Sequence, residues 1–193
     1  MKQDIILAGV GGQGILSIAY VIDNAALADG LFFKQAEVHG MAQRGGAVQS
    51  HMRLSDGTIW SDLIPKGQAD LILSVEPLEA LRYLDYLRPD GTVVTSSTPY
   101  RNIPDYPEID RVLEAVRRAP RTVVVDSEKL AKEAGTVKAQ NIVLLGAASS
   151  FLILKETSLV ATIEDLFRAR GGPVVLEANL KAFALGRKAA LGS

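Results

Sequence analysis

Cysteine is absent from the 193 residues of the chain. The chain therefore cannot form a disulfide, use a cysteine nucleophile or supply thiolates to an iron–sulfur cluster. If this protein takes part in such chemistry, the thiolates must come from another chain.

An excess of charge of either sign is also lacking. The chain has 21 Lys and Arg residues against 22 Asp and Glu residues, with no run rich in Lys or Arg. Nucleic acid is therefore not expected as a partner. No apolar run is long enough for a membrane span, and Met1–Asp4 leads directly into a predicted strand instead of a signal peptide. We expect a cytoplasmic protein that does not bind membranes.

The length suits one domain with a full hydrophobic core. Short apolar runs alternate with helical patterns, which predicts an α/β fold with a mostly parallel sheet. Ala47–Leu54 alternates apolar and polar residues, and Asp56–Gly57 fits a turn into 58–61, so a β-hairpin excursion is expected there. Asn141–Lys155 is apolar nearly all round, which predicts a buried helix within a C-terminal helical part. We predict one Rossmann-like three-layer domain over residues 1–193.

The most informative segment lies near the N-terminus. Ile5–Ala8 predicts a buried strand, and a helical pattern of apolar residues begins at Ile15. Between them, Gly9, Gly11 and Gly14 match G-x-G-x-x-G, in which missing Cβ atoms allow positive φ angles and the close approach of a backbone or a phosphate. Amides at the following helix N-terminus suit an anion. The candidate ligand-binding residues here are Gly9, Gly11, Gly12, Gln13 and Gly14.

Several interpretations of this glycine turn are open. NAD or FAD, bound by a free-standing nucleotide-binding protein, would require an acidic residue at the end of the second strand for the ribose hydroxyls. Asp29 has about the right spacing but belongs to a predicted helix exit, and Glu37 comes late in the sequence. A phosphate-bearing ligand, a partner chain held against the turn and a tight turn with nothing bound are the alternatives.

A polar, glycine-bearing loop is predicted over residues 37–46. Glu37 and His39 suggest acid–base chemistry, but a histidine without a carboxylate partner fixed by the sequence is more often a hydrogen-bonded loop residue. Arg44 precedes Gly45 and Gly46, and a guanidinium flanked by glycines is suited to binding phosphate or carboxylate. The candidate active-site or interface residues of this loop also include Met41 and Gln43.

Glu76 lies at the carboxyl end of another predicted strand, which is the usual ligand edge of an open α/β sheet. The alternative role for Glu76 is that of a partner for a helix dipole. We find no Ser-His-Asp arrangement, metal-ligand spacing or phosphate loop ending in Gly-Lys-Ser/Thr. No residue is therefore assigned as catalytic or metal-binding, and by its own residues the chain does not form a complete enzyme.

Three segments together resemble the gamma-type subunit or domain of the 2-oxoacid:ferredoxin oxidoreductases, and more narrowly the beta subunit of the indolepyruvate enzymes. They are Gly9–Leu16, Glu37–Gly46 followed by Val48, Ser50 and Arg53, and Asn141–Gly146. Asn141 thereby joins the candidate site residues. A sister enzyme acting on 2-oxoglutarate or pyruvate is the alternative within the family.

The resemblance implies a reaction shared between chains. In this family a 2-oxoacid is decarboxylated on thiamine diphosphate, electrons pass through [4Fe-4S] clusters to ferredoxin, and the acyl group passes to coenzyme A. A large catalytic subunit is implied to carry the thiamine diphosphate and the clusters, so this chain would hold no cofactor alone. Its implied role is to cover the active site and to help bind coenzyme A, whose diphosphate would use the glycine turn or Arg44.

Overall fold

The computed structural model describes residues 1–39 and 45–192. Within them, six strands form one sheet: β1 (Lys2–Val10), β2 (Phe32–His39), β3 (Ala47–Ser55), β4 (Ala69–Ser74), β5 (Leu87–Ser96) and β6 (Arg121–Val125). The same residues contain six α-helices: α1 (Ile15–Ala28), α2 (Pro77–Arg82), α3 (Ile109–Val116), α4 (Ser127–Ala134), α5 (Gln140–Ala148) and α6 (Glu156–Leu191). Helix α6 is kinked at Gly172, whose φ is 71°, directly before Pro173.

The strands are ordered β2-β3-β1-β4-β5-β6. The pairs β1–β4, β4–β5 and β5–β6 are parallel, whereas β3 runs antiparallel to both β1 and β2. The expectation of an α/β fold with a mostly parallel sheet and a C-terminal helical part is confirmed. The parallel strands bring the carboxyl ends of β1, β4, β5 and β6 to one edge, where ligands bind in open α/β sheets.

Helices cover both faces of the sheet. Ile5 and Leu7 of β1 pack into a core with α1, α4, α5 and α6, while Ile6 packs into a second core with α2 and α3. Because successive strand residues point to opposite faces, burial on both sides requires the uninterrupted apolar run seen in the sequence. The sheet is therefore the middle of three layers, with helices on either side. None of the helices in the described ranges is long and apolar enough to cross a lipid bilayer.

The predicted hairpin position is wrong. The antiparallel hairpin joins β2 to β3, in a register that runs from Phe32 opposite Ser55 to His39 opposite Val48. Residues 58–61 are not a strand. The Arg53 guanidinium instead donates to the carbonyl oxygens of Ser61 and Leu63, at 3.1 Å each, so an arginine side chain holds this segment to β3 without strand pairing.

The buried helix after Asn141 is shorter than predicted. It ends at Ala148 and is followed by a 3-10 turn over Ser149–Phe151. The buried Gln3 side chain fixes the chain beyond that turn, because its Nε2 donates to the Phe151 carbonyl (2.6 Å) and its Oε1 accepts from the Ile153 amide (3.0 Å). A residue 148 positions before Phe151 thus holds the segment that follows α5.

Candidate functional site

The glycine turn joins β1 to α1 and is held by its own residues. Gly12 and Gly14 have φ angles of 100° and 81°, in the left-handed region that glycine occupies without steric cost. The Gln13 amide donates to the Val10 carbonyl at 3.0 Å, and Gln13 Oε1 accepts from the Val10 amide at 2.8 Å. The Gln13 side chain therefore stabilises the turn.

Gly9 has a packing role. A Cβ atom at this position would lie 2.8 Å from Cδ1 of Ile15, at the first turn of α1. A larger residue at this position would have to displace the Ile15 side chain. Gly12, in contrast, is exposed with open space around it and is the glycine available to a ligand.

Asn141 supports the turn from the other end of the sequence. It is buried at the start of α5, and its Nδ2 donates to the Gly14 carbonyl at 3.2 Å. A Cβ atom at Gly14 would lie 2.5 Å from that nitrogen, so the asparagine and the glycine require each other. The fold thereby brings together two candidate residues 127 positions apart.

Gly45 and Gly46 are also close to the glycine turn. The Gly11 amide donates to the Gly46 carbonyl at 2.8 Å, and the Gly45 amide donates to the Gly11 carbonyl at 3.2 Å. Asn102 Nδ2 donates to the Gly45 carbonyl at 2.8 Å, which ties in the loop after β5. Met41, Gln43 and Arg44 lie outside the described residues.

Glu37 and His39 are not loop residues, which corrects the predicted loop over 37–46. Strand β2 continues through His39 because β3 pairs with it along its whole length. Glu37 lies opposite Ser50, and its buried Oε2 has no hydrogen-bond partner among the described residues.

Glu76 is buried between three elements. Its Oε2 accepts from the Glu79 amide at 2.8 Å and caps α2, while its Oε1 accepts from the Tyr100 amide at 3.3 Å and from the Tyr106 hydroxyl. Burial, together with the Glu76 carboxylate, raises the pKa of Tyr106 and keeps its hydroxyl a donor. These contacts favour the helix-cap role for Glu76 and give it the task of fixing the loop that contains Tyr100.

A cleft of about 600 Å³ opens beside the glycine turn, at the carboxyl edge of the sheet. Its apolar walls come from strand ends, loops and α6, and are Val75, Pro99, Tyr100, Val137 and Phe167. Its polar lining includes Gly12, Gln13, Gly14, Ser17, Thr98, Glu128, Lys138, Gln140 and Asn141. Sequence reasoning missed Tyr100, Lys138 and Phe167, although Thr98–Tyr100 follow a predicted strand and so had a positional signal.

The cleft is suited to an anionic ligand with an apolar part. The first turn of α1 contains no acidic residue, so the helix N-terminus faces the cleft without a competing carboxylate. Lys138 adds a cation, and the charge of Glu128 is balanced by its ion pair with Lys132. The volume lies within the roughly 300–1,000 Å³ of typical ligand sites. Among the residues that the structure covers, no group of His, Asp or Glu side chains is arranged to hold a metal ion.

The geometry does not match a dinucleotide site. The antiparallel strand β3 lies between β1 and β2, so the end of the second strand is not adjacent to the glycine turn. Asp29 accepts hydrogen bonds from the Lys155 amide (2.7 Å) and the Ser158 hydroxyl (2.6 Å) at the start of α6. Of the two acids considered for the ribose hydroxyls, Glu37 therefore lies on β2, which β3 separates from β1, and Asp29 caps α6.

Residues 4–189 match the family model described as pyruvate ferredoxin/flavodoxin oxidoreductase. The chain belongs to this family. A family relative from Thermococcus kodakarensis, named indolepyruvate oxidoreductase subunit IorB, is 38% identical in an alignment that covers 98% of this chain and 97% of the relative. The 2-oxoglutarate synthase subunit KorC of Methanothermobacter marburgensis is 29% identical over 97% of this chain and 96% of its own length.

Two solved structures share the fold of this chain. The gamma subunit of a keto/oxoacid ferredoxin oxidoreductase from Geobacter sulfurreducens superposes with a TM-score of 0.72 at 24% identity, covering 99% of both chains. The 2-oxoglutarate:ferredoxin oxidoreductase of Magnetococcus marinus, solved with 2-oxoglutarate, coenzyme A and succinyl-CoA bound, gives 0.77 at 24% identity. The match covers 100% of this chain and 31% of that longer chain.

Proposed function

We propose that this chain is one gamma-type domain serving as the accessory subunit of an oxidoreductase that acts on indolepyruvate or another arylpyruvate. The reaction converts the 2-oxoacid, coenzyme A and oxidised ferredoxin into the arylacetyl-CoA, carbon dioxide and reduced ferredoxin. The observation that carries the substrate assignment is the 38% identity to an indolepyruvate oxidoreductase subunit along nearly the whole chain, against 29% for a 2-oxoglutarate synthase subunit.

The large subunit would supply the thiamine diphosphate, the [4Fe-4S] clusters and the docking of ferredoxin. This division agrees with the composition, since a chain without cysteine has no thiolates for a cluster. It also agrees with the cleft side chains that the structure describes, which include no acid–base pair held in hydrogen-bond contact. The contribution of this chain is to bind and orient.

The cleft beside the glycine turn is the part that we assign to the nucleotide end of coenzyme A. The α1 N-terminus and Lys138 would bind phosphates, and the apolar walls, which include Val137 and Phe167, would receive the adenine or the pantetheine chain. Arg44 precedes Gly45, which is bonded to the glycine turn, and is a further candidate for the diphosphate. Glu37, His39, Met41 and Gln43 are assigned, by resemblance alone, to the active-site side of the interface.

The second candidate is the same subunit role in an enzyme for 2-oxoglutarate or pyruvate. It is supported by the KorC relative and by the fold match to the Magnetococcus marinus enzyme. A free-standing NAD- or FAD-binding protein is disfavoured because β3 separates the glycine turn from the second strand.

Co-expression with the candidate large subunit tests the assignment. We expect the two chains to co-elute and to reduce ferredoxin in a reaction that requires both indolepyruvate and coenzyme A. Neither chain should turn over alone. Faster turnover with 2-oxoglutarate or pyruvate would favour the second candidate, and a chain that elutes alone with its own nucleotide would contradict the family role.

A matched pair of variants tests the coenzyme A site in that complex. Gly12 and Gly30 both have positive φ angles and open space around them, but Gly12 alone lies at the cleft. Gly12→Asp places a carboxylate where the phosphates are expected, so the KM for coenzyme A should rise at least tenfold. Gly30→Asp also places an aspartate at a positive φ angle and should leave that KM unchanged. An equal effect of both variants would contradict the site.

A further inference from the structure

Helix α1 has a partly apolar outer surface in addition to the face that it packs into the core. Leu16, Tyr20, Asp23 and Leu27 are separated by four, three and four positions, so they form one line along the helix. We call these four residues the outer stripe. Leu16, Tyr20 and Leu27 are 64%, 43% and 58% exposed. Three of the four stripe residues are thus large apolar side chains that the rest of the described chain leaves exposed.

Asp23 lies within this row and is only 8% exposed. Its Oδ1 is buried and has no hydrogen-bond partner within residues 1–39 and 45–192. Two other buried acids have partners, since Arg53 pairs with Asp4 at 2.8 Å and Glu76 accepts three hydrogen bonds. A buried carboxylate oxygen without a donor favours a cation as its partner.

We propose that the outer stripe docks an apolar segment of the large subunit that presents one arginine or lysine to Asp23. This inference rests on the proposed function, which requires a second chain. The apolar side chains would bury area at the interface, and the cation would satisfy the carboxylate. In the Magnetococcus marinus structure the same fold is 31% of a longer chain, so it is there part of a larger polypeptide.

A second copy of this chain is the less suitable occupant. Residues 15–28 of α1 include no Lys or Arg, so two stripes facing each other would place carboxylate against carboxylate with no cation between them. Charge complementarity therefore favours a different, basic partner surface.

The test uses the complex with the large subunit and two double variants. Leu16→Gln with Leu27→Gln removes two apolar side chains from the stripe. Leu63→Gln with Leu191→Gln makes the same change at leucines that are 56% and 68% exposed and lie outside α1. We expect the stripe variant to weaken association at least tenfold in titration calorimetry, while the control stays within twofold. Asp23→Asn should weaken association at least fivefold, because it removes the charge and keeps the shape.

Thermal unfolding of the free chain shows whether each variant folds, and glutamine is tolerated at exposed helix positions. If the wild-type pair associates and the stripe variants bind as tightly as the control, the docking surface is elsewhere and the proposal is overturned. If the free chain forms a dimer that the stripe variant abolishes, the chosen occupant is wrong. A wild-type chain that does not bind the large subunit at all would instead refute the proposed function itself, and the two failures are thus distinguishable.

Discussion

At the scale of single residues, Glu76 shows how a polar side chain at the ligand edge can act through structure. Glu76→Gln keeps one acceptor oxygen where the carboxylate accepts from Glu79, Tyr100 and Tyr106. We expect the free energy of unfolding to fall by about 1–3 kcal/mol, the usual range for losing hydrogen bonds to a buried charged group. Urea denaturation measures this change. Tyr106→Phe removes only one of these hydrogen bonds and should lower the free energy of unfolding by less. Equal losses in both variants would argue against the role of Glu76 in holding α2 and the loop together.

Asp23 makes stability depend on pH. Burial raises the pKa of Asp23 from 3.8 to about 7, so between these values the folded chain binds more protons than the unfolded chain. Its contribution to the free energy of unfolding therefore decreases as pH rises from about 4 to 7. Asp23→Asn removes the buried charge and should stabilise the chain by about 1–3 kcal/mol at pH 8. At about pH 2.5, below both pKa values, the carboxyl is mostly neutral in both states and the gain should be near zero. Urea titrations of the wild type and the variant at the two pH values measure the gain in the free energy of unfolding. An equal gain at both would refute a raised pKa for Asp23.

At the scale of elements, the contact of α5 with α6 depends on glycine. A Cβ atom at Gly186 would lie 1.8 Å from the Val143 carbonyl oxygen, and one at Gly146 would lie 2.1 Å from that of Phe183. Alanine is the better helix former by about 1 kcal/mol, but Gly186→Ala must push the two backbones apart. We expect a net loss of about 1–3 kcal/mol, as for other overpacked cores. Gly57→Ala, where the nearest atom is 3.9 Å away, is the control and should change the melting temperature little.

The same elements show which parts of the fold could be predicted from the sequence. An uninterrupted apolar run identified β1, and the glycine motif followed by a helical pattern marked the start of α1, because these signals are local. Strand pairing is not local: the alternation in 47–54 indicated a strand, but its hairpin partner is β2 and not 58–61. Arg53 and Gln3 decide where neighbouring segments run through bonds that no periodicity reveals. The glycine turn was identified for the same local reason as α1, whereas Lys138 and Phe167 reach the cleft only through tertiary packing.

At the scale of the whole molecule, the cleft joins segments from every part of the chain, from Gly12 to Phe167. A ligand that binds there binds the folded state only, and it should raise the free energy of unfolding of the whole chain. A nucleotide corresponding to the coenzyme A end, 3′,5′-ADP, at 100 times its Kd should add about 2.7 kcal/mol to the free energy of unfolding. For a chain of this size each kcal/mol raises the melting temperature by roughly 2–4 °C.

Pantetheine, which lacks phosphate, separates the anion site from the apolar walls in this measurement. If the α1 N-terminus and Lys138 supply most of the binding, pantetheine at equal concentration should raise the melting temperature far less than the nucleotide. Gly12→Asp should abolish the shift caused by the nucleotide, and Gly30→Asp should retain it, since only Gly12 lies at the cleft. A pantetheine shift as large as that of the nucleotide would assign the cleft to the other end of coenzyme A. The glycine turn would then position α1 for its partner and would not bind phosphate.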